Sequence, residues 1–121
     1  MKNKPILIVA GEPYSVFIEI FLKALKKNKV KKKIILIVSQ SLFLKQMKRM
    51  NYNFKINLIN KHNIDFKKLS KNQVNIIDVN FKYKKVFDKI TDRSNYYIHE
   101  SFKIALKLIL SKKFIGLING P

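Results

Sequence analysis

The stretches Pro5-Ile-Leu-Ile-Val-Ala-Gly-Glu-Pro13 and Lys113-Phe-Ile-Gly-Leu-Ile-Asn-Gly-Pro121 decide the fold. Each is an apolar run, typical of a buried parallel strand, that leads into a turn containing glycine and proline. In an open α/β sheet, ligands bind at the carboxyl ends of the strands. A domain rarely ends at such a loop, because a helix should follow and cover the strand. Residues 1–121 are therefore predicted to be the N-terminal portion of a larger α/β enzyme, truncated at a strand-exit loop.

The sequence alternates between the strand period and the helix period. Strands are predicted at 6–10, 34–38, 54–58, 74–79 and 114–118, and helices at 15–27, 39–50 and 95–110. The strand at 54–58 alternates apolar and polar residues, which indicates a sheet edge, and Ser39 is a predicted N-cap. Residues 28–33 predict a polar turn, and 81–93 fit no single element. This order indicates an α/β fold with a mainly parallel sheet flanked by helices.

The helix period also predicts which side chains face the core. Glu19 and Lys23 lie on the polar side of the first helix in the favourable i,i+4 order. Tyr96 and Tyr97 open the last helix and are expected to pack rather than to stack on a ligand. The apolar faces are predicted to hold Val16, Phe17, Ile20, Phe21, Ala24 and Leu25 in the first helix, and Ile98, Phe102, Ala105, Leu106 and Ile109 in the last.

The chain is strongly basic, with a net charge of +19 over 121 residues. Such a charge suits nucleic acids, because bound cations release counterions from the phosphate backbone. However, only Arg49 and Arg93 are arginines among the 26 basic residues. Surfaces that read bases or clamp phosphates favour the planar fork of arginine. We therefore expect no nucleic-acid partner, and instead a surface that attracts phosphorylated small molecules.

Cysteine is absent from the sequence, which excludes disulfides and thiolate chemistry. The apolar run at 6–10 is too short for a secretory signal, and no run approaches the roughly 20 residues that span a bilayer. These features predict a soluble, cytoplasmic protein with no membrane partner.

The candidate substrate-loop residues are Gly11, Glu12 and Pro13 after the first strand, and Asn119 and Gly120 after the last. Gly11 can adopt a positive φ or admit a ligand close to the backbone. Pro13 fixes the chain for the start of a helix, whose N-terminus would attract an anion. On the tripeptide alone, an ordinary βα turn with Glu12 in solvent is the preferred interpretation.

Other chemistry-bearing residues form no recognisable site. His62 and His99 are predicted to be surface residues without the i,i+3 or i,i+4 spacing of a helical metal site. Ser94 is expected to be a helix cap or a turn residue. The chain has no Gly-x-Gly-x-x-Gly and no phosphate-binding loop ending in Gly-Lys-Ser/Thr. No catalytic, metal-binding or cofactor-binding residue is assigned.

Both end motifs resemble the 4-hydroxythreonine-4-phosphate dehydrogenase family of vitamin B6 biosynthesis. The strand followed by Gly11-Glu12-Pro13 is similar to the family's N-terminus. The segment 94–105, followed by 114–121, is similar to its later helix and the strand that runs into Thr-Gly-Pro or Thr-Ala-Pro. The chain departs from the family where bulky Tyr14-Ser-Val-Phe17 replaces Ala-Gly-Ile-Gly, where Asn119 replaces threonine and where Asn95 replaces glycine.

The resemblance implies part of an isocitrate/isopropylmalate-dehydrogenase-like fold, from an enzyme that works as a homodimer. The family oxidises and decarboxylates a phosphorylated hydroxy amino acid with NAD or NADP and a divalent metal such as zinc, magnesium or cobalt. Its metal-binding histidines, its Gly-His-Thr motif and a lysine after Gly-Pro all lie beyond position 121. The resemblance therefore implies that this chain alone is inactive.

Two other classes of function stay open. One is a small basic α/β module that binds a nucleotide or a nucleic acid. The other is a non-catalytic chain that docks onto a partner through the bare face beside the strand at 114–118, because an uncovered sheet edge favours pairing.

Overall fold

The computed structural model of the protein describes residues 4–27 and 31–121, which form five strands and three α-helices. The predicted turn at 28–33 lies partly outside these residues. Short 3₁₀ turns occur at Phe66–Lys68 and Asp92–Ser94, and the ambiguous segment 81–93 is otherwise irregular. The main elements are β1 (Ile6–Val9), α1 (Phe17–Lys26), β2 (Ile34–Val38), α2 (Gln40–Arg49), β3 (Ile56–Leu58), β4 (Val74–Asp78), α3 (Asn95–Ile109) and β5 (Gly116–Asn119).

The strands form one sheet in the order β3-β4-β2-β1-β5, and every neighbouring pair is parallel. This confirms the predicted α/β class and the parallel sheet. It also confirms that the strand around Ile56 lies at an edge. Since parallel strands share one carboxyl edge, the exits of β1 and β5 lie side by side.

Helices cover the two faces of the sheet. Leu7 and Val9 of β1 face one way and pack in a core cluster with Tyr97 and Ala105 of α3. Ile8 points to the opposite face and belongs to the cluster that includes residues of α1 and α2. This alternation follows from the two-residue period of a strand, and it gives the sheet a core on each side.

The buried stripe of α1 differs from the predicted one. Val16 is 66% exposed and Ile20 is 57% exposed, whereas Ile18 and Leu22 are buried. The reason is that α1 also packs on α2, where Phe21 meets Phe43 edge-to-face with ring centroids 6.3 Å apart. A broad apolar arc does not reveal which part will meet a neighbouring helix. The exposed pair of Glu19 and Lys23 forms as predicted, at 3.3 Å.

The buried face of α3 also differs from the predicted one. Tyr97, Ser101 and Ala105 form its buried stripe, while Leu106 is exposed. The small Ser101 allows close packing, and its hydroxyl donates to the Tyr97 carbonyl oxygen at 2.8 Å. Tyr97 packs as predicted. Tyr96 does not, because it is 74% exposed and its hydroxyl donates to Glu100 at 2.9 Å.

The last strand is an edge strand and not the buried strand that its apolar composition predicted. Phe114 precedes β5, is buried, and meets Phe66 edge-to-face at 5.7 Å. Ile115 and Ile118 are exposed. Among the described residues, no strand pairs with the outer side of β5. None of the helices within 4–27 and 31–121 combines the length and apolarity that a bilayer crossing requires.

Candidate functional site

The predicted loop residues after the first and last strands come together at the carboxyl edge of the sheet. Val9 of β1 is paired with Asn119 of β5, and the Gly120 amide donates to the Val9 carbonyl oxygen at 2.8 Å. One step further along, the Glu12 amide donates to the Pro121 carbonyl oxygen at 2.6 Å. The two exits thus form one continuous backbone surface.

Both glycines are required by this close approach. A Cβ on Gly11 would lie 2.4 Å from the Pro121 carbonyl oxygen, and Gly11 also has a φ of +76°. A Cβ on Gly120 would lie 2.2 Å from the Ala10 carbonyl oxygen. Carbon–oxygen contacts this short are strongly repulsive. Of the two uses predicted for Gly11, the structure shows the positive φ, and the space beside each glycine is filled by the chain itself.

The Glu12 side chain is buried, which contradicts the interpretation that it points into solvent. It is 8% exposed, and its Oε2 accepts hydrogen bonds from the Tyr14 amide at 3.0 Å and from the Ser94 hydroxyl at 3.4 Å. A carboxylate is costly to bury unless such donors replace water. Glu12 therefore ties the exit of β1 to the segment that begins α3.

Pro13 holds its loop in place but does not begin a helix. The Ser15 hydroxyl accepts from the Phe17 amide at 3.2 Å, and α1 starts at Phe17 rather than at Ser15. The Pro13 carbonyl oxygen accepts from Gln46 Nε2 at 3.0 Å. The same nitrogen lies 2.9 Å from the carbonyl oxygen of Val86. The buried Gln46 thus joins the β1 exit to the irregular segment before α3.

An open cleft of about 630 Å³ lies beside the two exits. Its polar lining includes Glu12, Thr91, Asn95 and Asn119, and Phe102 forms part of its apolar wall. The amide, hydroxyl and carboxylate groups offer both donors and acceptors. This arrangement suits a small polar ligand held at the carboxyl edge of the sheet.

The described residues do not fit a metal ion or a dinucleotide at this edge. They contain no group of three histidine, cysteine or acidic side chains that could hold a metal. Carbonyl oxygens of the chain fill the space beside Gly11 and Gly120, so neither glycine forms a cradle for a phosphate. His62 and His99 are both exposed, as predicted.

Ser94 is the functional candidate that the sequence did not reveal. It is buried at the N-cap of α3, but its side chain makes no capping bond and turns to Glu12 instead. The two residues are 82 positions apart, so no local pattern could have paired them.

The comparison with solved structures shows the fold. No protein-family model and no curated protein matches the chain. A 4-hydroxythreonine-4-phosphate dehydrogenase structure from Burkholderia phymatum matches with a TM-score of 0.79 and 16% identity, over 98% of this chain. A structure from Salmonella typhimurium, provisionally assigned the same activity, matches with a TM-score of 0.82 and 18% identity, also over 98% of this chain.

The chain has the fold of these dehydrogenase structures. The resemblance seen in the two end motifs is therefore confirmed at the level of the fold. The chain spans 36% of the length of the Burkholderia protein and 37% of that of the Salmonella protein.

Proposed function

We propose that this chain is part of a nicotinamide-dependent dehydrogenase that acts on a phosphorylated hydroxy amino acid in pyridoxal phosphate biosynthesis. The supporting observation is the joined exits of β1 and β5, with the buried Glu12 between them, in a chain with the fold of such dehydrogenases. The motifs at 11–13 and 119–121 carried the resemblance in the sequence, and the structure places them in contact.

In this proposal the chain contributes one wall of the active site. Glu12 fixes the loop through its bonds to the Tyr14 amide and the Ser94 hydroxyl, so that the cleft keeps its shape when a ligand binds. Asn119 and Asn95 offer amide groups to the substrate at the mouth of the same cleft. Rigid positioning of this kind contributes to rate by holding the reacting groups close together.

We assign hydride transfer and any metal-assisted step to residues outside the described ones. The described residues contain no group of three histidine, cysteine or acidic side chains that could bind a metal. We further propose that the 121-residue chain alone has no turnover, that the whole enzyme is a homodimer and that it works in the cytoplasm. The purified chain, mixed with 4-phosphooxy-threonine, NAD or NADP and zinc, magnesium or cobalt, should produce no reduced cofactor. Metal-dependent turnover would contradict the proposed inactivity.

The proposed activity is tested on the product of the complete reading frame that contains these residues. That protein should reduce NAD or NADP in the presence of 4-phosphooxy-threonine. Glu12→Gln should lower kcat/KM by about tenfold or more, because the hydrogen bonds from the Tyr14 amide and the Ser94 hydroxyl lose the negative charge of their acceptor. Glu19→Gln is the matched control, since Glu19 lies on the exposed face of α1. An equal effect of the two substitutions, in proteins with equal thermal stability, would refute the role of Glu12.

A further inference from the structure

A second and larger cleft lies on the face of the sheet covered by α3, and no part of the dehydrogenase proposal uses it. Its volume is about 1010 Å³. One wall is the exposed side of α3, and the opposite wall comes from the loop after β3 and the exit of β4. It shares no lining residue with the cleft beside Glu12. Its size is that of a pocket for a small organic molecule.

The charges along this cleft are unbalanced. Its cationic side chains are Lys61, Lys82, Arg93, Lys103 and Lys107. Two carboxylates face them, and both already have partners. Asp78 accepts from the Gln40 amide at 2.8 Å, and Glu100 accepts from the Tyr96 hydroxyl at 2.9 Å and lies 3.7 Å from Lys103.

Four of the five cations remain available to an anion. Within the described residues, Lys61, Lys82, Arg93 and Lys107 make no ion pair. Arg93 lies three residues before Tyr96, and Lys82 directly follows Phe81, whose ring centroid lies 4.9 Å from that of Tyr97. The two cations therefore lie on opposite walls of the cleft near the start of α3. Positive groups on both walls of a cleft add their potentials inside it and attract a multiply charged anion.

The cleft also presents an exposed aromatic ring. Tyr96 lies on the same side of α3 as Lys103 and Lys107, and its hydroxyl is held by Glu100. The buried Tyr97 and Phe81 also line the cleft. An exposed aromatic ring beside cations is the combination that binds a planar base together with its phosphates.

We propose that this cleft binds a nucleoside phosphate, with the base against Tyr96 and the phosphate groups held by Arg93 and by the cations of the facing loops. A free inorganic phosphate would use the cations alone. A long single-stranded nucleic acid would use cations across the whole surface and not this cleft in particular. The proposal does not depend on dehydrogenase activity, because it concerns other residues.

The test measures ADP binding to the purified chain by calorimetry, with pyrophosphate and adenosine as partial probes. We expect saturable binding of ADP, and weaker binding of each partial probe. The double substitution Arg93→Gln/Lys82→Gln should weaken ADP binding by about tenfold or more, through lost charge-assisted contacts. Tyr96→Ala should weaken ADP about fivefold or more, and leave pyrophosphate within about twofold.

The matched control is Lys48→Gln/Arg49→Gln on α2, which removes one lysine and one arginine from exposed positions on the other face of the sheet. It should leave ADP affinity within about twofold of the original chain, because the charges it removes do not line the cleft. Equal losses in the two double variants would show a diffuse charge effect and overturn the proposal. So would absence of saturable ADP binding, or an oligonucleotide that binds the chain without being displaced by ADP.

Discussion

The contact between the exits of β1 and β5 can be tested by adding a single methyl group at Gly120. The new Cβ of Gly120→Ala would lie 2.2 Å from the Ala10 carbonyl oxygen and 3.1 Å from Cγ of Phe17. Since non-bonded carbon atoms prefer about 3.5–4.0 Å, the two backbones must separate by roughly an ångström. That movement also strains the bond between the Gly120 amide and the Val9 carbonyl oxygen.

The magnitude follows from these two effects. Forcing a methyl group into a packed position costs about 1–3 kcal/mol, and a backbone hydrogen bond contributes about 0.5–1.5 kcal/mol. We expect Gly120→Ala to lower the free energy of unfolding by about 2–4 kcal/mol. A chain of this length is stable by about 6–18 kcal/mol in total, so the variant should still fold.

Gly116→Ala provides the matched control on the same strand. A Cβ at Gly116 meets no atom within 4 Å, so its effect should stay within about 0.5 kcal/mol. Urea unfolding followed by circular dichroism measures both variants. If Gly120→Ala and Gly116→Ala unfold at the same urea concentration, the two exits are not in contact and the candidate site is not formed as described.

Three further changes test the core, the site and the response to pH. Phe43→Ala empties a fully buried position and should lower the free energy of unfolding by about 3–5 kcal/mol, measured by urea unfolding. Val16→Ala, at the exposed N-cap of α1, should lower it by less than about 0.5 kcal/mol. Similar costs would refute the packing of α1 on α2. Ser94→Ala removes a donor from the buried Glu12 carboxylate and should cost about 1 kcal/mol by the same assay; no change in a well-folded variant would show that the 3.4 Å contact contributes nothing. Burial raises the pKa of Tyr97 above its ordinary value. The neutral phenol therefore stabilises the folded chain fully below pH about 10, and this contribution to the free energy of unfolding is lost as the pH rises towards the folded pKa. The unfolding free energy should therefore fall more steeply above pH about 10 in the original chain than in Tyr97→Phe; parallel pH profiles would contradict the burial of this phenol.

The sequence predicted the fold well wherever a local pattern determines the structure. The buried strand at 34–38 has its predicted bounds. Ser39 caps α2 as predicted, because a cap needs only the Leu42 amide three residues later, which it binds at 3.4 Å. The strand exits at Gly11 and Gly120 could be chosen as a site because parallel strands place their carboxyl ends on one edge.

The errors arose where distant parts of the chain decide the outcome. Ile20 is exposed because the packing of α1 on α2 determines which side of α1 faces the core. Helical periodicity in the sequence does not reveal that contact. Ile118 is exposed because its strand lies at the sheet edge, although its composition is that of a central strand. Glu12 is buried through Ser94, a partner that no local pattern connects to it.

The most direct test of the central claim is to sequence the source gene through and beyond the codon for Pro121. The account predicts an open frame that continues with a lysine soon after Gly120-Pro121, then Gly-His-Thr and further spaced histidines. Such a frame would supply the metal-binding histidines and the Gly-His-Thr motif that the family resemblance places beyond position 121. A stop codon directly after Pro121 would contradict the assignment to a metal-dependent dehydrogenase.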